Sequence, residues 1–155
     1  MLSEGEIIDA VLASTAIPGV FPPVRIEGRT LVDGVVSVST PIGTANRLGA
    51  VRVVVLPCGF ACAANVVSRR PLGRAMHAVT LLSARQLRQD FERYAESMSI
   101  RVVPPLCPLS QSCYDYSQGA SLIARAREST RRWIETGGLE ICEFPQQLTI
   151  HTHVQ

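Results

Sequence analysis

Apolar and polar residues alternate along this chain in short blocks that predict helices and strands in turn. Ser3 and Glu6 form a capping-box pattern at the start of the first block. Four apolar residues then recur at helical spacing: Ile7, Ile8, Val11 and Leu12. The pattern predicts a short amphipathic helix over residues 4–14. Pro18 prevents its continuation.

A β-hairpin is predicted next, followed by a short helix. Residues 24–32 alternate around Glu27-Gly28-Arg29, with glycine in the turn. Asp33-Gly34 ends the second strand. Thr40 then has the character of a helix N-cap, with Pro41 at the first helical position, and this helix should stop near Gly49.

The rest of the chain predicts a parallel sheet with crossover helices. Residues 51–56 are nearly all apolar and β-branched, which is typical of a parallel strand buried on both faces. A loop over residues 57–68 precedes a long helix over 71–97, and a second strand follows over 100–103. The helix has an apolar stripe that we expect to be buried: Leu72, Ala75, Met76, Val79, Leu82, Leu87, Phe91 and Tyr94.

The last predicted helix begins after the proline-rich loop 104–114. Asp115 and Gln118 are its expected caps, and it runs to about Thr136, where Gly137-Gly138 ends it. Beyond Glu140 the tail is poorly specified, and residues 148–154 predict either an edge strand or a frayed end. This alternation of strands and helices indicates a layered α/β fold.

Composition narrows the function without identifying it. The chain has 155 residues, 46% of them hydrophobic and 18% charged, as expected for one packed domain or part of one. A formal net charge of +2 argues against a nucleic-acid partner. The N-terminus has no signal-peptide pattern and no apolar run is long enough to span a membrane, so we expect a cytoplasmic protein.

Cysteine usage points to a reducing compartment. The five cysteines are an odd number, which favours free thiols over a disulfide framework: Cys58, Cys62, Cys107, Cys113 and Cys142. Cys58 and Cys62 are within the looser limit for a zinc-binding pair, but Cys107 and Cys113 are not, and His151 and His153 in the tail would complete a site only by accident of folding. We therefore expect no metal and no other cofactor.

Asp33 is the candidate catalytic residue. It places one carboxylate at the end of a strand beside Gly34, which lets the backbone turn sharply there. The competing interpretation is an ordinary Asp-Gly turn that closes a strand. The flanking segments favour the catalytic interpretation. In residue type and spacing, the sequence resembles the second half of the patatin-like phospholipase domain at Ala16-Ile17-Pro18, Phe21-Pro22-Pro23 and Thr40-Pro41.

That resemblance implies lipid acyl hydrolysis by a serine–aspartate dyad. In the family one aspartate contacts a nucleophilic serine directly, and Asp33 matches that aspartate with Gly34 as its backbone support. Val35 stands where the family usually has glycine or alanine, and Ser39 where it often has asparagine. A β-branched residue restricts the backbone, so Val35 is expected to crowd the site.

The other half of this machinery is absent from the sequence. The family's serine lies in a Gly-x-Ser-x-Gly elbow between strand and helix, and no such pentapeptide occurs here. Ser3 and Ser117 lie in pentapeptides that match this pattern only in part, and both serines are better explained as helix caps. No Gly-rich oxyanion loop is present either. His77 is expected to be a packing or surface residue, because the family does not use histidine as its base.

The resemblance continues through residues 70–78 and 104–139, and it implies the C-terminal part of a bacterial-type, three-layer α/β/α domain over 1–139, with 140–155 as a tail. Met1 would then be an internal methionine or an alternative start. The expected substrate is a lipid or phospholipid ester, and this chain alone should be inactive. Two alternatives stay open: a non-enzymatic remnant or partner-completed subunit, and a lipid-binding module. The last helix also carries arginines that could contact a membrane surface: Arg125, Arg127, Arg131 and Arg132. Packing of the apolar face of this helix, with its arginines in solvent, is the favoured interpretation.

Overall fold

The computed structural model describes residues 4–58, 71–109 and 117–149 as a mixture of helices and two small sheets. The chain divides into two compact units, Met1–Ser39 and Thr40–Gln155. The first unit holds an antiparallel hairpin and the second a parallel strand pair, so the α/β composition expected from the sequence is confirmed.

Helix α1, Ile7–Ser14, opens the first unit. The predicted helix is therefore confirmed, but it begins after Glu6, which is the N-cap without a side-chain capping bond, and Ser3 lies outside the described residues. Only Ala13 of this helix is buried, while its apolar residues Ile7 and Ile8 are 79% and 72% exposed. Its apolar face is thus uncovered by the residues that the structure describes.

The hairpin turns tightly between β1, Val24–Ile26, and β2, Arg29–Leu31. Glu27 and Gly28 form a two-residue loop with φ of 49° and 76°, the left-handed pair that matches the twist of a hairpin. The strands pair antiparallel with Val24 opposite Leu31. The predicted hairpin is confirmed, with Arg29 already part of the second strand.

A parallel strand pair organises the second unit. Helix α2, Ile42–Arg47, has Pro41 at its N-cap and not at the first helical position. Strands β3, Arg52–Val55, and β4, Ser99–Val102, run parallel with Val53 opposite Ile100. Helix α3, Pro71–Tyr94, lies between them in the chain.

The expectation that β3 is buried on both faces is wrong. Val55 is 5% exposed and belongs to the core, whereas Val54 is 49% exposed. Successive side chains of a strand point to opposite faces, so Val54 points away from the side that holds the core cluster. Among the described residues, one face of this strand is covered and the other is open.

The core of the second unit joins the strand pair to α2, α3 and the tail. Eight buried apolar residues form it: Ile42, Val55, Leu87, Phe91, Met98, Ile100, Val102 and Leu148. The buried stripe of α3 differs from the predicted one, because Leu72 and Leu82 are exposed and Thr80 and Ala84 are buried. The helix buries one narrow face on the sheet, and those two leucines lie outside it.

Helix α4, Gly119–Glu135, is the last helix, and the predicted stop after it is confirmed. Gly137 has φ of +84° and donates to Ile134 O, and Gly138 N–H donates to Trp133 O at 2.8 Å. This is a Schellman motif, which satisfies the last carbonyls of the helix. Gln118 precedes the helix without a side-chain capping bond, and Asp115 lies outside the described residues.

The described part of the tail packs on the core. Leu148 is 6% exposed, and the ring of Phe144 contacts that of Phe91 edge-on, with centroids 5.5 Å apart. Arg101 Nε donates to the carbonyl of Leu139 at 2.6 Å. Leu148 lies in a 3-10 turn, Gln146–Leu148, and residues 150–154 of the predicted edge strand lie outside the described residues.

Among the helices in the described ranges, none combines the length and apolarity needed to cross a bilayer.

Candidate active site

Asp33 lies directly after the hairpin, and its main chain is fixed. Strand β2 ends at Leu31, and Asp33 is the N-cap of a single 3-10 turn, Gly34–Val36. The backbone N–H of Asp33 donates to Ala16 O at 2.9 Å. Ala16 is 2% exposed and follows α1. Asp33 is therefore held by the hairpin on one side and by the segment after α1 on the other.

The carboxylate of Asp33 is oriented through one of its two oxygens. Oδ1 accepts the backbone N–H of Val35 at 2.8 Å. Oδ2 has no hydrogen bond or ion pair within the described residues. It is not one of the buried polar atoms without a partner there, so it is accessible to solvent. A carboxylate with one oxygen fixed and one accessible can accept a proton from a nucleophile placed beside it.

Gly34 and Val35 follow Asp33 in the 3-10 turn. The φ of Gly34 is not positive, and a Cβ there would meet no atom within 4 Å. Val35 was expected to crowd the site, yet its main chain supplies the hydrogen bond that orients the carboxylate.

The other residues considered from the sequence lie outside the described residues or in the second unit. Ser3 lies outside the described residues. Ser117 is exposed in the turn that leads into α4, as expected for a residue at a helix start. His77 is half-buried in α3, near the buried Met76, in agreement with a packing residue.

Side chains of the metal-ligating types are dispersed in the described part of the chain. No three His, Cys, Asp or Glu side chains there lie together as a ligand set. Cys58 and Cys142 are free thiols. Cys62, Cys113, His151 and His153 lie outside the described residues.

The second unit contains a mainly apolar groove that was not predicted from the sequence. It lies where the chain leaves the parallel strands, with a volume of about 360 Å³, and α4 forms its other wall. Leu56 and Pro57 line it after β3, and Val103 and Pro104 line it after β4. The carboxyl ends of parallel strands are the usual position of ligand sites in α/β folds, and the two predicted strand ends carried that signal.

Comparison with protein families supports the resemblance for the first part of the chain. A family model described as patatin-like phospholipase matches residues 1–46. The matched segment contains α1, the hairpin and Asp33, and it ends within α2. Residues 47–155, with the groove, lie outside that match.

Proposed function

We propose that this chain contributes the aspartate of a patatin-like serine acyl hydrolase that cleaves lipid or phospholipid esters. The observation that carries the proposal is the geometry of Asp33, whose Oδ1 is held by Val35 N–H while Oδ2 stays accessible. The match of residues 1–46 to the patatin-like phospholipase family supports it.

In the proposed reaction, Asp33 acts as the general base. A serine hydroxyl is a weak nucleophile until a base removes its proton. Asp33 Oδ2 accepts that proton as the serine oxygen attacks the ester carbonyl. The alcohol then leaves and takes up the proton, so that an acyl-serine remains. Water, activated in turn by Asp33, hydrolyses the acyl-serine and releases the fatty acid.

The nucleophile must come from polypeptide other than this sequence. The chain has no Gly-x-Ser-x-Gly elbow and no Gly-rich oxyanion loop. Loss of a single oxyanion donor costs about 10²–10³ in rate, so the chain alone should not turn over esters. In this proposal residues 1–139 form the C-terminal part of a three-layer α/β/α domain, with Gly34 supporting Asp33.

A chimera tests whether this segment supplies a competent base. Residues 1–46 replace the corresponding segment of an active patatin-like phospholipase, and hydrolysis of a short-chain nitrophenyl ester is measured. We expect the chimera to be active, and Asp33→Asn to lower kcat by about 10²–10⁴-fold, the usual contribution of a general base. Asp9→Asn is the matched control, because it removes an exposed carboxylate from the same unit without touching Asp33.

Three outcomes would contradict the proposal. The first is a folded chimera, shown by cooperative melting, that has no activity. The second is an Asp33→Asn variant as active as the Asp9→Asn control. The third is ester turnover by the isolated chain that disappears in Asp33→Ala, which would disprove the inactivity proposed for the chain alone. An in-frame Gly-x-Ser-x-Gly upstream of Met1 would identify the source of the nucleophile.

A second candidate function is that of a subunit whose fold a further polypeptide completes. Two features of the described residues favour it. The parallel sheet has two strands and an open face at Val54, and parallel sheets are normally covered on both faces. Helix α1 separately exposes the apolar residues Ile7, Ile8, Val11 and Leu12. Exposed apolar surfaces and unpaired strand edges recruit partners or aggregate.

The purified chain should therefore self-associate. In size-exclusion chromatography with light scattering we expect species larger than a monomer, and Ile8→Glu should raise the monomer fraction because it puts a charge in the apolar face of α1. Ser121→Glu adds the same charge at an exposed polar position of α4 and should have a smaller effect. A sharp monomer peak with cooperative melting would count against a missing partner.

A further inference from the structure

The groove beyond the parallel strands is lined mainly by apolar residues. Leu56 follows β3, Val103 and Leu106 follow β4, and Leu122, Ile123 and Ala126 of α4 close the opposite wall. Its volume of about 360 Å³ lies within the roughly 300–1,000 Å³ range of small-molecule sites. Ile123 is 71% exposed, and no residue of α4 is buried. An apolar ligand would remove this surface from water, which is favourable.

A second depression, which includes charged side chains, adjoins the groove on the same helix. It has a volume of about 490 Å³ and includes Arg125, Glu128 and Arg132. Leu106 and Ser129 line both depressions, so the two lie next to each other. Arg125, Glu128 and Arg132 follow one another at spacings of three and four residues, which places them on one face of α4.

The charged side chains of the second depression carry one net positive charge. Arg132 Nε donates to Glu128 Oε1 at 2.9 Å, so these two side chains neutralise each other. Arg125 has no ion pair within the described part of the chain. Its guanidinium is the group available to an anionic ligand, because an arginine binds a carboxylate through two parallel hydrogen bonds.

We propose that this composite site binds a fatty acid, with the acyl chain in the apolar groove and the carboxylate on Arg125. The combination of an apolar slot with a single cationic end matches an amphiphile that carries one negative charge. The choice of a fatty acid among such amphiphiles rests on the proposed function, whose product is a fatty acid. The site itself lies wholly within residues 40–155 and does not include Asp33.

Titration of the full chain with dodecanoate tests the proposal. Trp133, the one tryptophan of the sequence, lies on α4 and provides a fluorescence signal, and calorimetry gives an independent affinity. We expect saturable binding that is weaker for dodecanol, which has the same chain without the charge. Arg125→Gln should weaken dodecanoate binding about two- to fivefold, the range for an exposed ion pair, and leave dodecanol binding unchanged.

Matched variants separate this site from general attraction to a basic helix. Arg127→Gln removes the same charge from an exposed position of α4 that lines neither depression, and it should leave the affinity unchanged. Ala126→Phe fills the groove and should weaken binding at least tenfold, whereas Ala120→Phe, at an exposed position outside the groove, should not. Helical content by circular dichroism verifies that each variant is folded.

Several results would overturn the proposal. The first is that dodecanoate does not bind saturably, and the second is that dodecanoate and dodecanol bind with equal affinity. The third is that Arg125→Gln and Arg127→Gln, or Ala126→Phe and Ala120→Phe, change the affinity for dodecanoate equally. Because binding is measured without turnover, its failure would leave the base role of Asp33 untouched. An inactive chimera would in turn leave the fatty-acid site untouched, so the two proposals fail separately.

Discussion

Replacing Ile100 by alanine should lower the free energy of unfolding by about 2–5 kcal/mol, the range for removal of a buried isoleucine side chain. Ile100 is 0% exposed at the centre of β4, and it belongs to the cluster formed with Ile42, Phe91 and Leu148. Truncation leaves a cavity between the strand pair and the elements packed on it. Since total stabilities are about 5–15 kcal/mol, this loss is a large part of the whole.

Urea unfolding followed by circular dichroism measures the effect. Ile123→Ala is the matched control, because it removes the same atoms from a side chain that is 71% exposed on α4. We expect the control to change the free energy of unfolding by no more than about 0.5 kcal/mol. If both variants lost the same stability, Ile100 would not be at the centre of a packed core, and the strand pair that borders the groove would be misplaced.

Gly138→Ala should destabilise the end of α4 by about 1–3 kcal/mol, the usual cost of overpacking. A Cβ at residue 138 would overlap the indole ring of Trp133. That close approach exists because Gly138 N–H donates to Trp133 O within the Schellman motif. Relief requires either the indole to leave its half-buried position or the helix end to unwind.

Thermal unfolding and the fluorescence of Trp133 both report on this variant. We expect a lower Tm and a red-shifted emission, because the indole becomes more exposed to water. Gly119→Ala, in the first turn of the same helix, is the control: its Cβ would meet no atom within 4 Å. It should be neutral or stabilise the helix by up to about 1 kcal/mol. A Gly138→Ala variant as stable as Gly119→Ala would rule out the overlap with Trp133.

Much of the secondary structure could be predicted from the local backbone preferences of the residues. Glycine at residue 28 predicted the hairpin turn, because tight hairpin loops favour residues that adopt positive φ readily. The glycines after Thr136 predicted the end of α4 for a similar reason. Asp33 was correctly expected at the end of the hairpin, since strand, turn and acid are neighbours in the chain.

Burial was harder to predict, because it depends on contacts between distant segments. Val54 and Leu82 have the residue type and the spacing of core positions, yet both are exposed. The tail gave no clear pattern, although Leu148 packs into the core through contacts made only in the folded chain. A hydrophobic side chain favours burial, but the packing of neighbouring elements determines which face of a helix or strand is covered.

The sequence by itself determined the elements, their order and the position of one acid beside a turn, because these follow from local preferences of neighbouring residues. Only the tertiary structure decided that Asp33 N–H donates to Ala16 O, and that the segments after β3 and β4 form a groove with α4 beside Arg125. Those features are distances between groups, and a distance between residues far apart in the chain is set by packing.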